Sequence, residues 1–284
     1  MRAAQFSSYG GPEVIAFNRN ADLPKLREGQ VMIENRAASI NPIDSVIRAG
    51  YLKDKLPLIF PATLAGDFSG EVMELGPGVS GLRKGDRVFG FAPVIVGGSG
   101  AAAEYVATNA STVARKPSKG SHAEAAALPL AGVSAVQALE DNILAKPGQK
   151  ILIHGGAGGV GSFAIQYAKH IGCRVATTVR GPQEGFVREL GADDVINFEL
   201  KDFATILRDY DAVLDTVGGE VYTKSFNTVR KGGIVASMVQ NPPNQDLMSR
   251  FGVRSVAVSA QVNTASLNHL AQLMDRGALK AEMP

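Results

Sequence analysis

Over the first 115 residues, apolar and polar positions follow one another in short runs of β type, at 30–34, 69–75, 87–91 and 104–108. Turn chemistry separates the runs: Gly76-Pro77-Gly78, Lys84-Gly85-Asp86 and Gly97-Gly98-Ser99-Gly100 supply glycines or an Asp where the chain must reverse. Several short, irregular strands predict a barrel or sandwich. The pattern changes at Ser121-His122-Ala123-Glu124, which reads as a capping box opening an alanine-rich helix toward Leu139, and the domain boundary is set there. From Lys150 onward, apolar runs at 151–154, 175–179, 195–197, 212–215, 234–239 and 255–260 alternate with helical stretches at 160–171, 184–190, 220–229 and 267–276. Six strands in βα alternation predict an α/β fold whose second domain, 122–260, is a parallel, doubly wound sheet.

Composition narrows the class. A chain of 284 residues suits two domains, and 45% hydrophobic with 20% charged residues is an ordinary globular balance. The formal net charge of +2 is spread over both signs, so no nucleic-acid partner is expected. Cys173 is the single cysteine, which excludes an intramolecular disulfide and a zinc site built on several thiolates. The first residues lack the apolar run of a secretory signal, and no stretch reaches the ~18 to 20 apolar residues of a membrane helix. The expected location is the cytoplasm, with no membrane partner.

The segment that carries chemistry is Gly156-Ala157-Gly158-Gly159-Val160-Gly161. A bare G-x-G-x-x-G is weak, but here the strand Lys150-Ile151-Leu152-Ile153-His154 runs into it and a helical stretch from Ser162 leaves it. In that order the first glycine permits the turn, the second lets backbone N–H groups approach a pyrophosphate, and the third seats the helix on the strand. The plain alternative is a tight βα turn with no ligand. At the end of the next strand, an Asp or Glu would receive the ribose hydroxyls of NAD. The stretch Val175-Ala176-Thr177-Thr178-Val179-Arg180-Gly181 has no acid, and Thr178 and Arg180 stand where a 2'-phosphate would sit, so NADPH is the expected cofactor. Arg180 also reads as a solvated loop cation.

An ordered set of short segments covers nearly the whole chain: Tyr9-Gly10-Gly11-Pro12, Ser39-Ile40-Asn41-Pro42-Ile43-Asp44, Gly66-Asp67-Phe68-Ser69-Gly70-Glu71-Val72, Lys84-Gly85-Asp86-Arg87-Val88, Leu190-Gly191-Ala192-Asp193, Asp215-Thr216-Val217-Gly218-Gly219 and Lys231-Gly232-Gly233. With these the sequence resembles the zinc-free, zeta-crystallin-like quinone oxidoreductases of the medium-chain dehydrogenase/reductase superfamily. The resemblance implies a GroES-like catalytic domain over 1–121, a partial return to it over 261–284, and a Rossmann domain between. It implies that Asn41 and Asp44 lie near nicotinamide and substrate, and that Ser134, Val217, Gly218, Met238, Val239 and Gln240 line the nicotinamide site. It also implies a homodimer. The segment holding Asn41 offers no thiolate or imidazole, and His122, His154, His170 and His269 form no ligand spacing, so the reaction is expected to need no zinc. Read without the resemblance, Asn41-Pro42-Ile43-Asp44 is a plain turn. Tyr51 either orients a carbonyl and delivers a proton or packs as a lid.

Three departures from the family pattern stand out. Phe198 replaces a tyrosine that helps hold the 2'-phosphate, Val46 replaces an aromatic hydroxyl, and the chain stops at Pro284, before strands that would otherwise pair with a neighbour. The expected reaction is hydride transfer from NADPH to a quinone or related electrophilic carbonyl, with Asn41 donating to the developing oxyanion. An enone, enal or enoyl-thioester reductase and a non-catalytic NADPH-binding protein are the alternatives.

Overall fold

The structure is a computed structural model, and it describes residues 1–239 and 242–282. The chain divides into two compact units: Met1–Leu130 together with the chain from Val262 onward, and Ala131–Gln261.

In the first unit the strands are β1 (Ala3–Phe6), β2 (Ile15–Asn18), β3 (Gln30–Ser39), β4 (Ala62–Thr63), β5 (Asp67–Leu75), β6 (Arg87–Phe91), β7 (Tyr105–Asn109) and β8 (Val113–Arg115). They form a three-stranded sheet in the order β2-β1-β4 and a five-stranded antiparallel sheet in the order β7-β3-β5-β6-β8. Val31, Ile33, Phe68, Val72, Val88 and Val106 alternate inward from the larger sheet and form its core. This is the expected GroES-like β domain. Strand β3 runs five residues beyond the expected 34, because Ala37, Ala38 and Ser39 continue the ladder opposite Ser69, Phe68 and Asp67.

Helix α1 (Pro42–Arg48), capped by Asn41, takes in Pro42, Ile43 and Asp44 and corrects the plain-turn reading of that segment. Proline at the first helical position needs no N–H partner. The Asn41 N–H donates to Asp44 Oδ2 at 2.7 Å, and the Asp44 N–H donates to the Asn41 carbonyl at 3.0 Å, so turn residues become a helix start.

The capping box at Ser121 forms as expected: Glu124 N–H donates to Ser121 Oγ at 3.2 Å and Ser121 N–H to Glu124 Oε2 at 2.7 Å. The helix it opens is not continuous. Helix α2 (His122–Ala126) stops, and α3 (Pro129–Gln137) restarts at the proline, which disfavours helix at the residue before it. Because α2 packs on β3, β5 and β6, the first unit runs to Leu130 rather than ending at 121. The helix Thr264–Asp275 belongs to this unit: Thr264 Oγ1 donates to the Ala110 and Val113 carbonyls, and Asp275 Oδ1 accepts from Ser118 Oγ and the Lys119 N–H.

The second unit holds β9 (Lys150–His154), β10 (Arg174–Val179), β11 (Asp194–Asn197), β12 (Tyr210–Asp215), β13 (Val229–Ser237) and β14 (Arg254–Ala257). All pair in parallel, in the order β11-β10-β9-β12-β13-β14. This is the six-stranded doubly wound sheet, reversing direction between β9 and β12, where such sheets bind ligands beyond their carboxyl ends. Helix α4 (Gly159–Ile171) buries Phe163, Ala164, Ile165, Tyr167 and Ala168, the stripe that its sequence spacing predicts. Among the described residues no helix is long and apolar enough to cross a membrane.

Candidate functional site

In the second unit, β9 feeds directly into the glycine turn. Gly155 turns the chain at a φ of +69°, Gly158 caps α4, and the free N–H groups of the first helical turn face outward from the sheet's carboxyl edge. Two of the glycines do different work. A Cβ at Gly161 would stand 2.2 Å from the Gly155 carbonyl oxygen, a backbone clash with no relief, whereas a Cβ at Gly158 would meet only that same oxygen at 3.3 Å. Gly158 therefore keeps a surface clear, and Gly161 lets helix and strand touch. We expect Gly158→Ala to keep stability within about 0.5 kcal/mol while weakening dinucleotide binding at least about tenfold, and Gly161→Ala to cost about 1–3 kcal/mol. Thermal unfolding with cofactor titration checks both, and parental affinity in Gly158→Ala would contradict the division of roles.

His154 closes the strand beneath this turn and is fully buried. Its Nδ1 lies 3.0 Å from Thr178 Oγ1 and its Nε2 3.0 Å from Ser225 Oγ. Ser225 spends its one hydroxyl proton on the Val221 carbonyl at 2.6 Å, so Nε2 must be the donor to Ser225 and Nδ1 accepts from Thr178. Burial holds the imidazole neutral, pushing its pKa down to about 4 against the opposing pull of Asp215. Thr177 ties β10 to β9 by donating to the Ile153 carbonyl at 2.7 Å.

Asp215, buried at the end of β12, organises the neighbouring rim. Its Oδ1 accepts from the Val217 and Gly218 N–H groups, both at 2.9 Å, and its Oδ2 accepts from Ser237 Oγ at 2.8 Å. Charge-assisted bonds of this kind fix the exits of β12 and β13 together. The expected site residues Val217 and Gly218 are held there. Met238 leaves β13 with its N–H on the Asp215 carbonyl, and Val239 is exposed, so the strand ends at Ser237 rather than at 239. Gln240 and its neighbour Asn241 lie outside the described residues.

A cavity of about 430 Å³ opens at this edge, lined among others by His154, Gly155, Thr178, Phe198, Val217 and Lys224. Thr178 thus reaches the cavity wall, although its hydroxyl is engaged by His154. Arg180 stands just past β10 with its side chain 67% exposed, and its Nε is 3.8 Å from Glu199 Oε1. Glu199, which also lines the cavity, is an acid the sequence reading did not weigh, because it lies one strand away from the position searched. Ser134 is buried within α3.

The first unit carries a separate polar group. The Asn41 side chain donates from Nδ2 to Asp67 Oδ2 at 2.9 Å, and the Leu130 N–H, at the start of α3, reaches both Asp67 oxygens at 3.2 and 3.3 Å. Asp67 is wholly buried on β5, and desolvation, only partly offset by these donors, pushes its pKa up to about 8. Asp44 is also buried and shifted upward by the same cause. The structure thus brings Asn41 and Asp44 together with Asp67, which the sequence reading left as a landmark only. An acid inside the apolar strand 67–75 was the signal available. Tyr51 lies apart from this network, 82% exposed, and its hydroxyl makes no hydrogen bond among the described residues. Ser69 and His122 lie 2.8 Å apart, but the serine hydroxyl donates to the Val88 carbonyl, which makes the pair a link between α2 and β5 rather than a nucleophile and base. Among the described residues no three or more His, Cys, Asp or Glu side chains are grouped to hold a metal ion.

Two family models match the chain, one described as the alcohol dehydrogenase GroES-like domain over residues 27–118 and one as zinc-binding dehydrogenase over 159–272. A 2-methylene-furan-3-one reductase of Solanum lycopersicum is 36% identical, over 99% of this chain and 70% of that protein. The quinone oxidoreductase from Coxiella burnetii superposes with a TM-score of 0.88 at 36% identity, over 100% of this chain and 90% of that one. The Escherichia coli quinone oxidoreductase complexed with NADPH gives a TM-score of 0.89 at 26% identity, over 100% and 91% of the two chains.

Proposed function

The chain belongs to the quinone oxidoreductase family of the medium-chain dehydrogenase/reductase superfamily and is an NAD(P)H-dependent oxidoreductase, and from that premise we propose that it takes NADPH and reduces quinones, without zinc. The observation that carries the cofactor reading is the exit of β10, where Thr178 lines the cavity beside the glycine turn, Arg180 stands just past the strand 3.8 Å from the cavity-lining Glu199, and no acid stands on the strand itself. The site fits a dinucleotide, because Gly158 leaves open the space that a Cβ would narrow above the start of α4. When bound, NADPH supplies the hydride.

The residues of the chain bind, orient and stabilise. The turn from Gly156 to Gly161 would receive the pyrophosphate, Arg180 and Thr178 the ribose phosphate, and Val217, Gly218, Met238, Val239, Gln240 and Ser134 the nicotinamide. Asn41, with one N–H on Asp67 and a second still to give, is the donor for an oxygen that gains charge, and Asp44 holds the helix start on which Asn41 sits. Tyr51 is kept in the proposal as an exposed phenol that could orient the acceptor carbonyl.

An enone acceptor is the second reading, favoured by the name of the tomato relative. We expect NADPH oxidation with both acceptor classes and the larger kcat/KM with the quinone, since a reduced quinone oxygen takes its proton from water. Steady-state assays of a benzoquinone and an enone after dialysis against a chelator separate the readings. Cofactor binding without oxidation by any acceptor would overturn the enzyme reading, and loss of turnover on dialysis would overturn zinc independence.

A further inference from the structure

We infer that Lys201 is a second cation for the 2'-phosphate of the coenzyme, so that Lys201 and Arg180 share the discrimination between NADPH and NADH. The inference deepens the proposed NADPH reading and rests on it. Its basis is the turn that follows β11. The Phe198 N–H donates to the Val179 carbonyl at 3.2 Å, and Asn197 stands opposite Val179 in the sheet, so this turn leaves the sheet beside Arg180. The Asn197 carbonyl accepts from the Leu200 and Lys201 N–H groups at 3.1 and 3.0 Å, and Asn197 Oδ1 accepts from the Glu199 N–H at 3.0 Å. Bonds to one residue thus hold the backbone over 199–201. Glu199 and Lys201 both line the cavity that opens at Gly155 and Thr178.

Two cations line this cavity, Lys201 and Lys224, and the structure treats them differently. Lys224 Nζ donates to Asp202 Oδ2 at 2.9 Å, while Asp202 Oδ1 accepts from the Ala204 N–H at 3.0 Å and caps the short helix Phe203–Ile206. Glu220, four positions before Lys224 on the helix Glu220–Ser225, acts on the same cation. The charge of Lys224 is therefore already answered. Lys201 is exposed, and its ammonium has no hydrogen-bond or ion-pair partner among the described residues. Its neighbours Phe198 and Leu200 carry no donor for an anion. A phosphate monoester carries about two negative charges at neutral pH, more than one guanidinium neutralises, and that of Arg180 lies 3.8 Å from the Glu199 carboxylate. Arg180 supplies a planar fork, and Lys201 a compact charge on a flexible stem from the adjacent strand exit. A plain ribose hydroxyl, as in NADH, gives Lys201 nothing to neutralise.

The test is equilibrium binding to the full chain, by calorimetry, of NADPH, NADH and two fragments that lack the nicotinamide, adenosine 2',5'-bisphosphate and adenosine 5'-monophosphate. We expect Lys201→Ala to raise the Kd of NADPH and of the bisphosphate about tenfold and to leave NADH and the monophosphate within about twofold. The constant NADH value doubles as the control for folding. Lys201→Arg should stay within about threefold of the parent, because the charge is kept. Arg180→Ala should retain part of the preference for NADPH, and Arg180→Ala combined with Lys201→Ala should abolish it. A parent that prefers NADPH while Lys201→Ala keeps the parental NADPH constant, or weakens both coenzymes alike, would overturn the inference and leave the NADPH reading standing. Loss of the whole preference in Arg180→Ala alone would do the same. A parent with equal affinity for the two coenzymes would overturn the NADPH reading, and the inference with it.

Discussion

Arg180→Ala should raise the Kd for NADPH about ten- to a hundredfold and leave that for NADH within about twofold. A guanidinium on a phosphate makes charge-assisted hydrogen bonds of about 1.5–3 kcal/mol, and each 1.4 kcal/mol is a factor of ten. NADH lacks the phosphate and loses nothing. Glu199 works against the same contact, because its carboxylate lies 3.8 Å from Arg180 Nε. An exposed pair of this kind is worth no more than about 1 kcal/mol. Glu199→Gln should therefore tighten NADPH only a few-fold, again without moving NADH. Fluorescence titration of the two cofactors against the three proteins measures all six constants. Equal affinity for NADH and NADPH in the parent would remove the ground for the NADPH assignment.

The second large effect is on stability, and its two sources have opposite signs. His154 has an ordinary pKa of 6.5 when unfolded and about 4 when folded. As pH falls through that window the unfolded chain takes up a proton that the folded chain refuses, so the contribution of His154 to stability drops by about 3 kcal/mol between pH 6.5 and 4. Asp67 behaves in reverse. Its carboxyl is protonated in the folded chain up to about pH 8, while in the unfolded chain it ionises near 3.8, so its contribution is full below 3.8 and is lost as pH rises through 8. Between pH 4 and 6.5 the two contributions oppose each other, so urea midpoints from pH 4 to 9 should show Asp67→Asn uncovering the acid-side loss due to His154 and removing the decline from 6.5 to about 8, and His154→Gln uncovering a decline with rising pH from 4 to 6.5. Unchanged slopes in either variant would mean that the group is solvated in the native state.

The residues that sequence reading located well are those whose role is local. The turn at Gly156 to Gly161 depends on neighbours within one strand and one helix, and the six strands of the second unit are apolar runs long enough to stand out. The cap at Ser121 is read from two residues three apart. What escaped depends on distant partners or on length. Strands β2 and β4 have four and two residues, too few for a period to register, and β2 shows a solvent-facing side chain at nearly every position. Helix α1 begins with Pro42 after Asn41, residues equally suited to a turn, and only the Asp44 contact closes it as a helix. Asp67, Asp215 and Glu199 were missed for one reason. Each matters through a partner 22 or 26 positions away, or across a neighbouring strand, and an acid in isolation does not announce whom it will meet.

Thr177 and Thr178 face into the structure and tie β10 to β9, whereas the side chain of Arg180, two positions on, meets the exposed carboxylate of Glu199 at 3.8 Å and reaches into solvent. The glycine-turn scaffold and the residue we propose to choose between the two coenzymes are thus adjacent in the chain yet mechanically independent. If the proposed role of Arg180 holds, coenzyme preference can be changed by substitutions at Arg180 and Glu199 while the glycine turn and its buried histidine stay intact.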